Sequence, residues 1–360
     1  MFKKVILPAI AYLFFVASFI SLLPIWIGDL FSHFRMFWAF FSVILFIIYI
    51  IFFSQKKIHF KIVMSVFFSL LINVTSSYSF WTNSETYQYL FFGSPTLETF
   101  SHSSPNENVQ KDTTVKSLLL MNVLSSNTNY EKARELIRNA DADFVVILEL
   151  NKKWKNELKE LNKNYPYKFT EVREDNFGMG IYSKTDFTDS HIVLGDKYLN
   201  QINKELNEGL KKWSSDVNLD IRKINGVELR EPAIFVKGKA INIMLLHPIP
   251  PINRDTYIKR NKYLEKKVEV ISKTNTSKTL LVGDFNCSPF SADYKKFLKQ
   301  SGLKDSQQNF GFQPTWNSSF PFLMQTQLDH VWHSEDIEIL HRQTLPIEGS
   351  DHKAVLVLFR

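Results

Sequence analysis

A single cysteine, Cys287, stands among 360 residues, so no intrachain disulfide can form and no cysteine-based zinc site exists. Charge is absent from three long runs: Val5 to Gly28, Met36 to Phe53 and Ile62 to Trp81. About 20 apolar residues cross the hydrocarbon core of a bilayer, so each run is a candidate span, although the third carries Asn73, Thr75, Ser76, Ser77 and Ser79 in its second half. No small-x-small cleavage site follows the first run, which disfavours the cleavable signal peptide that Lys3 and Lys4 would otherwise suggest. The interiors of the runs hold no Asp, Glu, Lys, Arg or His. That lack argues against a transporter, whose intramembrane work commonly needs such residues. No internal repeat is discernible.

What charge there is has an uneven distribution. Lys3 and Lys4 precede the first run, Lys56, Lys57 and Lys61 lie around the start of the third, and the connection between the first two has only Arg35 as a basic residue. Basic residues near a span stay cytoplasmic. Three spans with both basic segments inside therefore place everything after Trp81 outside the cytoplasm, whereas failure of the third run to cross would reverse that side. The net charge of +7 is milder than it looks, because residues 1–109 hold six Lys or Arg against four acids and leave +5 for the remainder. Such a bias suits a phosphate-bearing substrate without identifying nucleic acid.

The chain divides into an anchor over residues 1–82, a linker over 83–113 and a soluble-type domain over 114–360. The linker reading rests on Gly93 to Thr114, rich in Ser, Thr, Pro and Asn. Beyond it, strand-like apolar runs alternate with amphipathic helices, the texture of an α/β domain. Strands are expected over Val115–Asn122, Asp143–Glu149, Gly178–Ser183, Ala233–Lys237, Ala240–His247, Thr279–Asp284, Leu328–His333 and Ala354–Phe359. Helices are expected over Asn129–Asn139, Asn151–Asn162 and Arg254–Thr274, with a further one over Phe290–Lys299 capped by Ser288 and Pro289. Thr185 to Glu231, with a charged helical stretch from Tyr198 to Trp213, reads as an insertion over the site or as a solvated decoration.

Several of these apolar strands end abruptly in polar residues: Asn122, Glu149, His247 and Asp284. Strand ends form the ligand crevice of an α/β sheet protein. One polar strand end is ordinarily just the edge of a core, but four of them coincide here with two tetrapeptides. In Gly283-Asp284-Phe285-Asn286, two polar side chains two residues apart can address one phosphate, and Gly283 admits close backbone approach. In Gly349-Ser350-Asp351-His352, a hard-oxygen ligand adjoins an imidazole. Other residues carry a blander reading. Alternation puts His330 on the opposite face from Asp329, Pro248, Pro250 and Pro251 stiffen a loop, Trp316 reads as packing, and Cys287 as an inert buried thiol.

Met121-Asn122-Val123, Leu148-Glu149, Gly283-Asp284-Phe285-Asn286, Leu328-Asp329-His330-Val331 and Ser350-Asp351-His352 together resemble the strand-end motifs of the endonuclease/exonuclease/phosphatase superfamily. The resemblance runs from Val115 to Arg360 and, with the apolar runs ahead of it, is nearest to the membrane-attached bacterial YafD-like branch. It departs at Leu148, where the superfamily commonly has Gln. The resemblance implies a four-layer α/β sandwich, two packed mixed sheets with outer helices, behind three predicted transmembrane helices in a bacterial inner membrane. It further implies Mg²⁺-dependent hydrolysis of phosphoesters, with Mn²⁺ as a substitute. By the same resemblance Glu149 and Asp351 are metal ligands with Asn122 beside them, and Asp284 deprotonates the attacking water. Asn286 holds a phosphate oxygen, His247 and His352 donate to the developing charge, and Asp329 orients His352. Within the class, a nuclease and a lipid phosphodiesterase remain open. A catalytically silent membrane-tethered module of the same fold is the reading from another class. No protein partner is indicated.

Overall fold

The computed structural model describes residues 5–55, 59–81, 114–193, 232–273 and 277–360. The linker reading and most of the Thr185–Glu231 segment lie outside them. From Lys116 onward twelve strands form two six-stranded mixed sheets. The first runs in the order β11 (Ile339–Pro346), β12 (Lys353–Phe359), β1 (Lys116–Asn122), β2 (Phe144–Leu148), β4 (Met179–Ser183), β3 (Tyr167–Glu171). The second runs β5 (Phe187–Ile192), β6 (Ala233–Gly238), β7 (Asn242–Leu246), β8 (Thr279–Asp284), β10 (Asp329–His333), β9 (Lys304–Asp305).

Alternation along the strands builds the layers, because successive side chains point to opposite faces. Leu118 and Leu120 of β1 and Val146 of β2 meet Ile243, Leu245 and Val282 of the second sheet in a core between the sheets. The residues between them, Leu119, Met121, Val145 and Ile147, face the other way onto Ala133, Ile137 and Trp154. Those three belong to α5 (Tyr130–Ala140) and α6 (Lys152–Glu157). On the far side, Met244, Leu246 and Leu281 pack against Leu264, Val268, Ile271 and Phe297 of α7 (Arg254–Lys273) and α8 (Ala292–Ser301). The result is helices, sheet, sheet, helices. Only β1 with β2 and β7 with β8 pair in parallel. Each parallel pair brings two C-terminal strand ends side by side.

All eight anticipated strands are present. The four that the pattern did not reveal, β3, β5, β9 and β11, are the four sheet edges. β3 and β5 expose much of their length, β9 is only two residues long, and β11 buries the polar Arg342, Gln343 and Thr344, so no apolar alternation marks any of them. The cap expected at Ser288 lies three residues on: Ser291 accepts from the Tyr294 backbone N–H at 3.0 Å. Phe290 meanwhile turns inward to pack with Met36 and Phe312.

Four helices precede the sandwich: α1 (Leu7–Ile20), α2 (Trp26–His33), α3 (Arg35–Ser54) and α4 (Phe60–Trp81). Among the described residues two of them, α3 and α4, are long and apolar enough to cross a membrane, not three. The first apolar run breaks between Ser21 and Ile25, around Pro24, which cannot donate a helical hydrogen bond. Its 14-residue helix is about 21 Å long, short of the roughly 30 Å hydrocarbon core. A buried polar network joins α1, α3 and α4: the Asn73 amide donates to Ser18 Oγ at 2.8 Å and Ser42 Oγ at 3.1 Å, and Arg35 donates to Asn73 Oδ1 at 2.9 Å.

Gly283 is required where β7 and β8 meet. Its φ is +154°, and a Cβ there would stand 1.8 Å from the Leu246 carbonyl oxygen. Gly283→Ala is expected to lower stability by roughly 2–3 kcal/mol, read as a lower thermal unfolding midpoint of the detergent-solubilised chain. An unchanged midpoint would show that the strand pair has room to spare.

Candidate active site

Asp284 closes β8 and Asp329 opens β10, and the antiparallel register sets the two directly opposite each other. Both are buried. Like charges in that arrangement repel, and burial worsens the cost. His352 relieves it, donating from Nδ1 to Asp329 Oδ2 at 2.8 Å while its Nε2 stands 3.7 Å from Asp284 Oδ2. His247, at the end of β7, brings Nε2 to 3.8 Å from the same Asp284 oxygen. Asn122, at the end of β1, points its amide nitrogen at that oxygen from 3.4 Å. The other oxygen of Asp284 accepts the Asn286 backbone N–H at 2.8 Å.

The backbone around these groups is bent for the purpose. Glu149 (φ 62°) and Asn286 (φ 49°) are left-handed non-glycine residues, a costly conformation that concentrates at functional sites. Glu149 Oε2 accepts from the Ser125 backbone N–H at 2.8 Å. The Asn286 amide spends one N–H on the Pro248 carbonyl at 3.0 Å, leaving the other available. Ser350 donates to the Asn122 carbonyl at 2.8 Å and accepts from the His352 backbone N–H at 3.1 Å, tying the Asp351-His352 turn to the end of β1. Glu149, His247, Asp284, Asn286, Asp351 and His352 all line one cleft.

Titration follows from this packing. Burial alone would lower the His352 imidazole, but the carboxylates of Asp329 and Asp284 outweigh it and raise it to about 10. Burial and the neighbouring Asp329 raise Asp284 to about 8, against the pull of the His352 cation. His247, buried and facing that cation, is lowered to about 4. Cys287 is pushed up to about 12 by burial, an inert thiol. His330 faces away from the cleft, with Nε2 at 2.9 Å from the Cys287 carbonyl and Nδ1 at 3.1 Å from Tyr294 Oη.

A divalent cation fits the residues present. Asp351 Oδ1 is buried without a hydrogen-bond partner, an orphan that a cation would satisfy. Asn122, Glu149 and Asp351 offer oxygen only, the donor type that Mg²⁺ prefers. A second grouping, Asp284, Asp329 and His352, has ligand atoms within 4.8 Å of one another. There the imidazole is already committed between the two carboxylates, so that trio reads as a proton-holding unit.

Residues 119–352 match the model of the Endonuclease/Exonuclease/phosphatase family. The chain belongs to that family. The activities in the family's name all break phosphoester bonds, and this chain is a phosphoester hydrolase. D. rerio TDP2, complexed with single strand DNA product, superposes with a TM-score of 0.50 at 16% identity, covering 69% of this chain and 99% of that one. The endonuclease/exonuclease/phosphatase from Beutenbergia cavernae gives 0.49 at 13%, covering 68% and 71%. The human Nocturnin catalytic domain with bound sulfate anion gives 0.49 at 13%, covering 68% and 93%. Identities this low show the fold alone. No curated protein matches in sequence. The family match begins after α1–α4 and does not bear on the membrane-attached branch.

Three contributors to the site are not assigned to it from the sequence. Trp316, in a Pro314-Thr315-Trp316 stretch that resembles a family element but reads as packing, donates its indole N–H to Asp351 Oδ2 at 2.8 Å and lines the cleft. Arg260, an ordinary-looking helix arginine, is fully buried and donates to the Asn286 carbonyl at 2.6 Å and to Asp29 Oδ2 at 2.8 Å. Asp29 itself belongs to α2, within the anchor. An acid 231 positions away could not have been paired with Arg260 by spacing.

In the metal-free protein, NMR titration should find His352 still protonated at pH 8 and His247 still neutral at pH 5. A raised folded-state value means that His352 stabilises the fold fully below its unfolded value near 6.5, and that this stabilisation fades as pH climbs toward about 10. The lowered value of His247 has the opposite effect: its cost appears as pH falls from about 6.5 to about 4.

Proposed function

We propose that this phosphoester hydrolase is anchored in a membrane and depends on a divalent cation, Mg²⁺ with Mn²⁺ as substitute, to direct water onto phosphorus. The reading is carried by the convergence of Asn122, His247 and His352 on one oxygen of Asp284 at the floor of the cleft. Glu149 and Asp351 would hold the cation, with Asn122 beside them and Trp316 fixing Asp351 in place. When bound, the cation supplies positive charge that polarises the phosphoryl oxygens and favours ionised Asp284. Asp284, with a carboxyl lifted toward the working pH, takes the proton of the attacking water. His352 is an imidazolium aimed beside Asp284, so it stabilises the charge that develops on the equatorial oxygens, as does the free N–H of Asn286. His247 donates as a neutral imidazole. Asp329 keeps His352 protonated and oriented.

The anchor reading rests on α3 and α4 and on what they expose. Ile44, Ile47, Ile51, Phe68 and Leu71 are open to the outside, more apolar surface than a soluble bundle leaves bare. Lys61 is the second residue of α4, and Lys56 and Lys57 lie in sequence between α3 and α4. At the opposite end Met36 and Phe80 pack on Phe290 and Phe312 of the sandwich. Basic residues at the far turn favour the non-cytoplasmic side for the catalytic domain, with two crossings rather than three.

Asp284→Asn should lower kcat on a generic phosphodiester by about 10²–10⁴-fold, and EDTA should remove activity that Mg²⁺ restores. Equal rates for the untreated, chelated and substituted full-length protein would sink the hydrolase mechanism. A reporter active only in the cytoplasm, fused after Phe100, should stay dark; a bright fusion would overturn the membrane side.

A further inference from the structure

The cleft that holds the catalytic groups, about 650 Å³ in volume, is not built by the sandwich alone. Leu30, His33 and Phe34, from α2 and the residue after it, line it together with Glu149, Asp284, Asp351 and His352. The anchor is held there firmly. Asp29 and Arg260 form a fully buried ion pair at 2.8 Å, and Arg260 also grips the Asn286 carbonyl. Trp26 donates its indole N–H to the Pro251 carbonyl at 2.9 Å, stapling the start of α2 to the loop that follows His247. Breaking a buried pair of this kind leaves an uncompensated charge, so α2 is a fixed wall of the site rather than part of a loose tether.

The chemistry of that cleft discriminates between substrate classes. Among the described residues that line it there is no lysine and no arginine, whereas Glu149, Asp175, Asp284 and Asp351 contribute four carboxylates. Nucleic acid is bound along its phosphates by basic side chains, and the described residues of the lining supply none. Much of the remaining lining is apolar instead: Leu30 and Phe34 share it with Ile249, Pro250, Pro251 and Ile252. Ile252 is 73% exposed, and Leu22, Leu23, Ile25 and Ile27 continue the open apolar surface toward α1. One end of the site is thus polar and acidic, and the other is oily and continuous with the helices that flank the candidate spans.

We infer that the substrate is an amphiphilic phosphoester, a membrane phospholipid. Its phosphate sits among His247, Asp284 and His352, and its acyl chains lie against Leu30, Phe34 and Ile252. The inference rests on the hydrolase reading and deepens it. In the reaction water oxygen bonds to phosphorus, one ester P–O bond breaks, the water proton passes to Asp284, and the departing oxygen takes up a proton. No oxidant or reductant is needed. Because α2 lines the cleft and runs directly into α3, the first candidate span, a lipid can reach the catalytic groups from the bilayer surface without leaving it entirely.

The test uses the full chain in nanodiscs or detergent with four substrates. These are vesicles of dioleoyl-phosphatidylethanolamine and dioleoyl-phosphatidylglycerol, the dibutyryl forms of the same lipids, a single-stranded oligonucleotide, and bis(p-nitrophenyl) phosphate. The expected kcat/KM is at least about ten-fold higher for the dioleoyl than for the dibutyryl lipids, since buried methylenes add apolar binding. The double substitution Leu30→Asp with Phe34→Asp should bring that ratio close to one, and Leu30→Met with Phe34→Leu should preserve it. Taking the ratio within each variant separates chain recognition from a general loss of folded protein. Cleavage of the oligonucleotide as efficient as that of the dioleoyl lipids, no lipid hydrolysis beside Asp284-dependent hydrolysis of bis(p-nitrophenyl) phosphate, or a ratio unmoved by the aspartates would each overturn the lipid inference while leaving the hydrolase intact. Absence of Asp284-dependent hydrolysis of every substrate would instead bring down the hydrolase reading, and the lipid inference with it.

Discussion

Two buried carboxylates face each other across neighbouring strands, and the arrangement of the site follows from making that tolerable. Asp284 and Asp329 are register partners of β8 and β10 with almost no contact with water. Burial and the neighbouring Asp329 both push the Asp284 carboxyl up, toward the neutral acid. The imidazole of His352 lies between them and is held as a cation by their charge. That cation in turn keeps His247 neutral. One electrostatic constraint therefore divides two chemically identical side chains into a charged and an uncharged donor on either side of the same acid.

The fold supplies the rest through strand direction. Parallel pairing of β1 with β2 and of β7 with β8 places Asn122 and Glu149, and then His247 and Asp284, at adjacent strand ends in two sheets that share a core. Residues after β2 and β7 and from the β11–β12 connection line the cleft at those ends. Close approach at Gly283 lets Asp284 reach the floor of the cleft. Strain at Glu149 and Asn286 is stabilised by the bonds each makes, to Ser125, Pro248 and Arg260.

Contact between the N-terminal helices and the catalytic domain changes what those helices mean. Length and hydropathy describe them as candidate spans, but the buried Asp29–Arg260 pair and the cleft residues Leu30, His33 and Phe34 make α2 part of the site. Packing of Met36 and Phe80 on Phe290 and Phe312 couples helices and sandwich at a second place.

Strand ends, the two tetrapeptides and the layered texture were all legible in the linear chain, because a buried strand must be apolar and its polar end stands out by contrast. Edge strands were not legible, since exposure in β3 and β5, the two-residue length of β9 and buried polar residues in β11 leave no apolar alternation to read. The first apolar run was read as a span because composition ignores Pro24, whereas the folded chain ends α1 before that residue and starts α2 after it. Trp316 beside Asp351, Arg260 beside Asn286 and Asp29 beside Arg260 are products of tertiary folding alone. What the linear order determined was which residues could serve a phosphoryl reaction and which segments are oily. Only the packing of two sheets and four helices decided which charges meet, which proton is held, and that an anchor helix forms a wall of the cleft, because buried electrostatics depend on distances in space that sequence separation does not encode.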